Sequence, residues 1–394
     1  MIGTWMQQIA MSWLVYKLTN SVFLLGIVGF AGQLPAFFLV PFAGVLVDRW
    51  NRRQILVITQ ILAMVQALIL AFLVMTGSVV LWHIIVLAIC SGLVNAFDMP
   101  ARQAFVVEMV ERKEDLGNAI ALNSSMVNIA RMLGPSIAGI LIATVGEGIC
   151  FLINGISYVA AIASLLYMRI ATVKTEAKKT KILDELKEGF SYVFGFVPIR
   201  TIILFLGLIS LVGMPYAVLM PVFAKEILHG GPHTLGFLMG ASGGGAIIGA
   251  IYLASRKNVL GVGRIIPIAG GIFGIGLIAF SFSKILWFSL FLMLITGFGM
   301  MVQMASSNTV LQTIADDEKR GRVMSFFAMA FVGMAPFGSL MAGGLASFMG
   351  APNTLLISGI VCILGSILFA RKISSFREII RQTYARADVI PEVF

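Results

Sequence analysis

Apolar tracts of about 20 residues, nearly free of charge, recur along the whole chain and are separated by short polar segments. This is the pattern of membrane-spanning helices. The tracts run approximately over 1–16, 22–47, 54–75, 80–101, 118–144, 149–168, 200–224, 234–254, 265–283, 285–306, 323–347 and 353–370. They predict an all-α membrane protein with twelve transmembrane helices. The first tract is too short: its sixteen residues rise about 1.5 Å each and reach about 24 Å, against a hydrocarbon core of about 30 Å. No basic segment and no cleavable signal sequence precede it, so a truncated first helix is expected.

The polar segments divide the chain into two halves. Residues 1–170 form an N-terminal six-helix bundle and 200–370 a C-terminal one, with a linker at 171–199 and a tail at 371–394. The linker begins Lys-rich and continues with Ile182, Leu183, Leu186, Phe190 and Val193 at helical spacing, which predicts an amphipathic helix along the membrane surface. Ile373, Phe376, Ile380 and Tyr384 make a similar stripe in the tail. The halves also resemble each other: the segment from Gly92 to Gly117 aligns with that from Gly297 to Gly321, and each leads into a helix with a mid-span proline, Pro135 or Pro336. Duplicated halves predict a cleft between bundles and alternating access to a midplane site.

Composition sharpens this picture. Of 394 residues, 59% are hydrophobic and 12% charged, with a formal net charge of +10. A soluble domain would need about twice that charged fraction. The positive charge could suggest nucleic acid, but its placement excludes that reading. With the loop after the second span inside, only Lys17, Lys225 and Lys284 lie outside and Arg131 lies within a span; every other Lys and Arg is on the inner side. That asymmetry predicts a multi-pass protein of the bacterial inner membrane with a cytoplasmic C-terminus. Cys90, Cys150 and Cys362 fall in apolar tracts without zinc-ligand spacing and read as small core residues.

Between the second and third spans stands Gly44-Val-Leu-Val-Asp48-Arg49-Trp-Asn51-Arg52-Arg53. This resembles the loop signature of the major facilitator superfamily, with Asn51 at a position where glycine is usual; asparagine tolerates a left-handed backbone. Arg131-Met-Leu-Gly134-Pro135-Ser-Ile-Ala138-Gly139 is similar to the Gly-Pro motif of that superfamily's antiporters, with Ala138 for a glycine. GTWMQ at 3–7, Asp98-x-Pro-x-Arg102, ALNSSMVNIARMLGP at 121–135 and RGRVMS at 320–325 look like the subfamily of enterobactin and other siderophore exporters, the transmembrane secretion effectors. The resemblance covers nearly the whole chain. It implies export of a small molecule and a state-dependent latch of Gly44, Asp48, Arg49, Arg52, Arg53, Asp98 and Arg102. In that latch Asp48 docks against the N-terminus of the eleventh helix and Arg52 pairs with an acid on the fourth, for which Asp98 fits. The plainer reading of Asp48 is a helix-capping acid.

Asp98 is the one acid inside the predicted spans, and Ser91, Asn95, Asp98 and Arg102 form a polar stripe on the fourth. An i, i+4 pair with Arg102 is the structural reading and a proton carrier the functional one. Arg131 lies near mid-membrane on a stripe with Ser124, Asn128 and Pro135. It is either a structural arginine or a contact for an anionic substrate. Gln7, Gln33, Asn95, Asn123, Asn128, Arg131, Asn154, Gln303 and Asn308 are the candidate cavity residues, with interhelix bonding as their alternative. Gly134, Pro135 and Gly139 are expected to soften the fifth helix, and the run from Gly240 to Gly245, with Gly249, to let helices pack closely. His229 and His233, in an outer loop, carry weak metal-ligand character beside a solvated-loop reading.

No P-loop, H-E-x-x-H or G-x-S-x-G occurs, so no ATPase, zincin or hydrolase site is expected, nor any cofactor or metal. The expected function is secondary active efflux of a siderophore, drug or metabolite by proton antiport, in a monomer contacting substrate, protons and lipids. Ion-independent lipid movement and a non-transporting sensor are the alternatives.

Overall fold

The computed structural model describes residues 1–110, 112–168, 182–256, 261–316 and 319–375, with side-chain positions for all of these except 40–42, 44–45, 48–49, 113, 121, 182–187 and 373–375. Among the described residues all regular structure is helical. The helices are α1 (Ile2–Thr19), α2 (Val22–Arg49), α3 (Arg52–Met75), α4 (Leu81–Met109), α5 (Leu116–Val145), α6 (Glu147–Tyr167), α7 (Ile182–Gly195), α8 (Val197–Leu208), α9 (Tyr216–Val222), α10 (Pro232–Ala254), α11 (Val262–Phe282), α12 (Leu286–Ile314), α13 (Arg320–Phe331), α14 (Ala335–Met349) and α15 (Ala351–Ser375). They supply 11 segments long and apolar enough to cross a membrane, two of them assembled from broken helices. The twelfth expected span is α1, made less apolar by Gln7, Gln8 and Lys17.

Local chemistry explains the boundaries. Ser21 accepts the Leu24 N–H at the start of α2. Asn51 accepts the Gln54 N–H at 3.2 Å and starts α3. Its backbone is extended (φ −67°, ψ 112°), so it serves as an N-cap and not through the left-handed tolerance expected for it. The seventh span is broken by proline. Pro215 and Pro221 have no N–H to donate, and the ladder widens into π-helical turns at Ile209–Gly213 and Phe223–Ile227. The eleventh span breaks between α13 and α14, where Pro336 likewise lacks a donor and the Val332 carbonyl accepts from Ala335 instead.

The chain forms two compact units that do not follow the sequence halves. One comprises Met1–Lys178 with Ala217–Gly240 and Ser339–Phe348; the other Lys179–Tyr216, Ala241–Gly338 and Met349–Phe394. Within the first, α2 packs on α4, α3 on α4 and α6, and α1 on α5 and α6. Tyr16, Leu70, Ile84 and Phe151 are fully buried there, while Ile58, Ile61, Leu62, Val65, Ile69 and Phe72 leave one apolar stripe of α3 exposed, as a lipid-facing helix does. Within the second, α11 packs on α12 and α15, and α8 on α13 and α15. Gly249 meets the Phe298 carbonyl so closely that an added Cβ would lie 3.1 Å from it, as close packing of the glycine-rich segment requires. Cys150 and Cys362 are buried; Cys90, expected in the core, is exposed.

The linker helix α7 packs on α13. Glu188 pairs with Arg322 at 2.5 Å, and Phe190 and Phe194 lie 6.3 and 6.4 Å from Phe326. The Tyr192 hydroxyl accepts the Asp316 N–H at 3.3 Å, and burial raises its pKa above the ordinary phenol value. Of the predicted linker stripe, Val193 is buried and Phe190 exposed; Ile182, Leu183 and Leu186 lie outside the described side chains, and the tail stripe from Phe376 onward outside the described residues.

Candidate functional site

The basic loop fastens three helices together. Arg52, at the start of α3, pairs with Glu108 at the end of α4 at 2.7 Å. Arg53 donates to the Leu165 and Leu166 carbonyls at 2.6 and 2.5 Å, capping the C-terminal end of α6 with a cation. The acid meeting Arg52 is therefore Glu108, one helical segment beyond the apolar tract, and not Asp98. Gly44, Asp48 and Arg49 belong to α2, but their side chains lie outside those described.

Asp98 is buried, at 7% exposure, and both its oxygens are taken. Oδ1 accepts from Thr59 at 2.9 Å and Gln60 at 2.6 Å, and Oδ2 receives Arg102 at 2.5 Å. The expected i, i+4 pair is present, extended by two neutral donors from α3. Such a shell satisfies both carboxylate oxygens and ties α3 to α4.

The candidate cavity residues separate into two groups. Gln7, Asn154 and Gln303 are buried inside bundles and bonded there, correcting their assignment to an open cavity. Gln7 donates to Gln66 at 2.7 Å and accepts from Asn154 at 2.6 Å, joining α1, α3 and α6. Gln303 donates to Ser307 at 3.4 Å. The others are more open: Asn95 is exposed, and Gln33, Asn123, Asn128, Arg131 and Asn308 are partly so. Gln33 donates to the Gly29 carbonyl at 3.1 Å and reaches Ser339 at 3.5 Å, Asn128 donates to the Ser124 carbonyl, and Asn308 accepts from Gln312. Arg131 stands over the Trp5 ring, 5.7 Å from its centroid. That cation–π contact brings α1 to the polar stripe of α5.

Gly134 and Gly139 act as contact points. An added Cβ on Gly134 would lie 2.6 Å from Trp5 Cβ and 3.0 Å from the Ile2 carbonyl, so this glycine seats α1 on α5. On Gly139 it would lie 2.8 Å from the Pro232 carbonyl and 2.9 Å from Gly236 Cα. A second pair repeats the arrangement: a Cβ on Gly26 would sit 2.7 Å from the Ser339 carbonyl and 3.0 Å from Gly343 Cα. Both pairs lie within the first compact unit and join helices from opposite sequence halves, at the end of α2 and α5 remote from the basic loop.

That end also holds acids that the apolar tracts did not reveal. The spanning segments run further than the tracts and take in Glu147 and Glu226 at this end, and Glu108 beyond Asp98 at the basic-loop end. Lys17 bonds Glu147 at 2.9 Å. The Tyr16 hydroxyl donates to Glu226, Lys225 donates to Asn20 at 2.6 Å, and the Lys225 ammonium lies 5.3 Å from the Tyr16 ring centroid.

A multi-span helical chain with duplicated halves, a basic loop clamped across three helices and glycine-matched contacts between halves is a membrane transporter of the major facilitator type, not an enzyme. Residues 1–386 match the transmembrane secretion effector family, and the chain belongs to it. It is 28% identical over 371 residues to the staphyloferrin A transporter of Staphylococcus aureus, covering 93% of this chain and 92% of that one. It is 27% identical to the multidrug efflux pump Tap of Mycolicibacterium fortuitum, covering 90% and 88%. With macrolide efflux protein A of Streptococcus pyogenes it shares 23% identity, covering 90% and 89%. In fold it is similar to a bacterial homologue of the lysosomal transporter Spinster in an inward-facing, unoccupied conformation (TM-score 0.67, 13% identity, 98% and 95% covered). It is also similar to a bacterial homologue of the iron transporter ferroportin in an inward-facing state (TM-score 0.69, 18% identity, 94% and 96% covered).

Proposed function

We propose that this chain is a secondary active exporter that moves a small organic molecule out across the bacterial cytoplasmic membrane, in exchange for protons, by alternating access. The observation that carries the reading is the pair of glycine contacts, Gly26 with Gly343 and Gly139 with Gly236, which binds the sequence halves at one end. Export is supported by relatives named for siderophore transport, multidrug efflux and macrolide efflux. The concentration of Lys and Arg at the basic-loop side supports a cytoplasmic position for that side and for the C-terminus. The glycine contacts then join the sequence halves at the outer end. Arg131 with Trp5, and the polar stripe of Ser124 and Asn128, supply the substrate-facing surface of the first half.

Flux in proteoliposomes tests this, with staphyloferrin A and a macrolide as probes. Movement accelerated by an imposed pH gradient is expected. Gradient-independent movement would overturn proton exchange, and no movement of either probe would overturn their transport. By its place in the loop signature Asp48 is a state-dependent latch, whose carboxylate gains about 0.3–2 kcal/mol from a facing helix N-terminus. Asp48→Asn is therefore expected to reduce flux sharply with membrane insertion unchanged; normal flux would remove Asp48 from the cycle.

A further inference from the structure

We infer that Glu226 is a proton-binding site that latches the outer end, holding it closed while ionised and releasing it when protonated. This rests on the orientation and alternating access proposed above and adds a residue and a ligand, the proton.

Among the described residues four acids lie in the spanning segments, and their partners distinguish them. Asp98, Glu108 and Glu147 each face a cation, Arg102, Arg52 and Lys17 respectively. Each of those pairs lies within the first half of the sequence, the Asp98–Arg102 pair within α4 itself, so none must part when the halves move. Glu226 differs on both counts. Its partner is a neutral phenol, and that phenol belongs to α1, in the opposite half of the sequence. Opening of the outer end has to separate them.

The surrounding groups make this contact a defined lock. Tyr16 is buried, at 1% exposure, and its hydroxyl is aimed at the carboxylate. Lys225, the next residue, is turned away to Asn20 and the Tyr16 ring, forming a second tie between the same segments. The other acidic, basic and histidine side chains at this end of the first unit are Lys17 and Glu147, paired with each other, His83 in the first turn of α4, and His229 and His233 in the loop before and the first turn of α10. An ionised carboxylate is a strong acceptor for the phenol; a protonated one is a weak acceptor with a donor of its own. Protonation from outside therefore weakens the tie between α1 and the seventh span and favours outward opening.

The test uses Ser339→Cys in a full-length chain lacking Cys90, Cys150 and Cys362, expressed in cells. Ser339 is buried at 3% exposure against Gly26 and Gly29, so a thiol there reports opening. Labelling by a membrane-impermeant maleimide is expected to rise about tenfold as external pH falls from about 7.5 to about 4.5, the factor that one hydrogen bond to a charged group is worth. Glu226→Gln and Tyr16→Phe should each label at the high level at both pH values, and His229→Gln should retain the pH response. Retained pH dependence in Glu226→Gln, its loss in His229→Gln, or a wild-type rate indifferent to pH would each overturn the latch. The wild-type measurement decides even if a variant inserts poorly. Labelling confined to inverted vesicles would overturn the orientation instead. None of these readings requires the exported substrate, so a failure of the flux assay and a failure of the latch remain distinct.

Discussion

Alanine in place of Gly139 is expected to lower transport at least about tenfold while leaving insertion intact. The atoms an added methyl would meet are the Pro232 carbonyl at 2.8 Å, Gly236 Cα at 2.9 Å and His233 Cα at 3.0 Å, all of them backbone. A side chain could swing away; a helix backbone has to move. Overpacking of this kind costs about 1–3 kcal/mol, and here it falls only on the state in which α5 and α10 touch, so it shifts the balance between states by about 5- to 150-fold. Gly26→Ala should act in the same direction through Ser339 and Gly343. The measurement is flux, paired with thiol labelling at Ser339→Cys. Slower flux with increased outer labelling is the expected pattern, and wild-type values for both would show that the contact does not control the cycle.

The second large effect concerns stability. Asp98→Ala strands two donors, Gln60 and Arg102, beside a buried void, while the Thr59 hydroxyl keeps the Leu56 carbonyl at 3.0 Å as an acceptor. Removing one partner of a buried pair costs about 3–5 kcal/mol. With the Arg102 side chain 36% exposed, and so able to recover some hydration, the lower end of that range is expected. Thermal unfolding in detergent should show a drop of several degrees. Asp98→Asn should fall between, since its carbonyl still accepts from α3 but its amide opposes Arg102. Unchanged melting of Asp98→Ala would remove the structural role. Unchanged melting with lost proton coupling in Asp98→Asn would make Asp98 the carrier.

The spans and the basic loop were legible in the sequence because each follows from one-dimensional facts: tract length, charge placement and a local motif. The Asp98–Arg102 pair was legible too, since i, i+4 spacing on a helix implies proximity. What depends on facing was not. Gln7, Asn154 and Gln303 have the same membrane depth as cavity residues, and depth does not say whether an amide points into a bundle or out of it. Glu108 and Glu226 were missed for another reason: hydropathy ends a tract where charge begins, whereas α4 continues to Met109 and the seventh span to Ile227. Gly26 is separated from Gly29 and Gly32 by larger residues and Gly343 adjoins only Gly344, a weaker clustering than Gly240–Gly245, yet Gly26 and Gly343 make one of the tightest contacts between halves.

The π-helical turns of the seventh span carry a consequence for sequence variation. Each α-helical residue advances the chain by about 100° around its axis. A π turn takes about one residue more than an α turn to complete the same circle, so deleting one residue within Ile209–Gly213 would leave the outer acid facing Tyr16 one position earlier in the chain, whereas a deletion in an α-helical stretch would turn everything beyond by about a quarter of a circle. Relatives that lack this wide turn should therefore carry their outer acid one position displaced, or lack the acid altogether. Aligning them by apolar tracts alone would match the wrong residues.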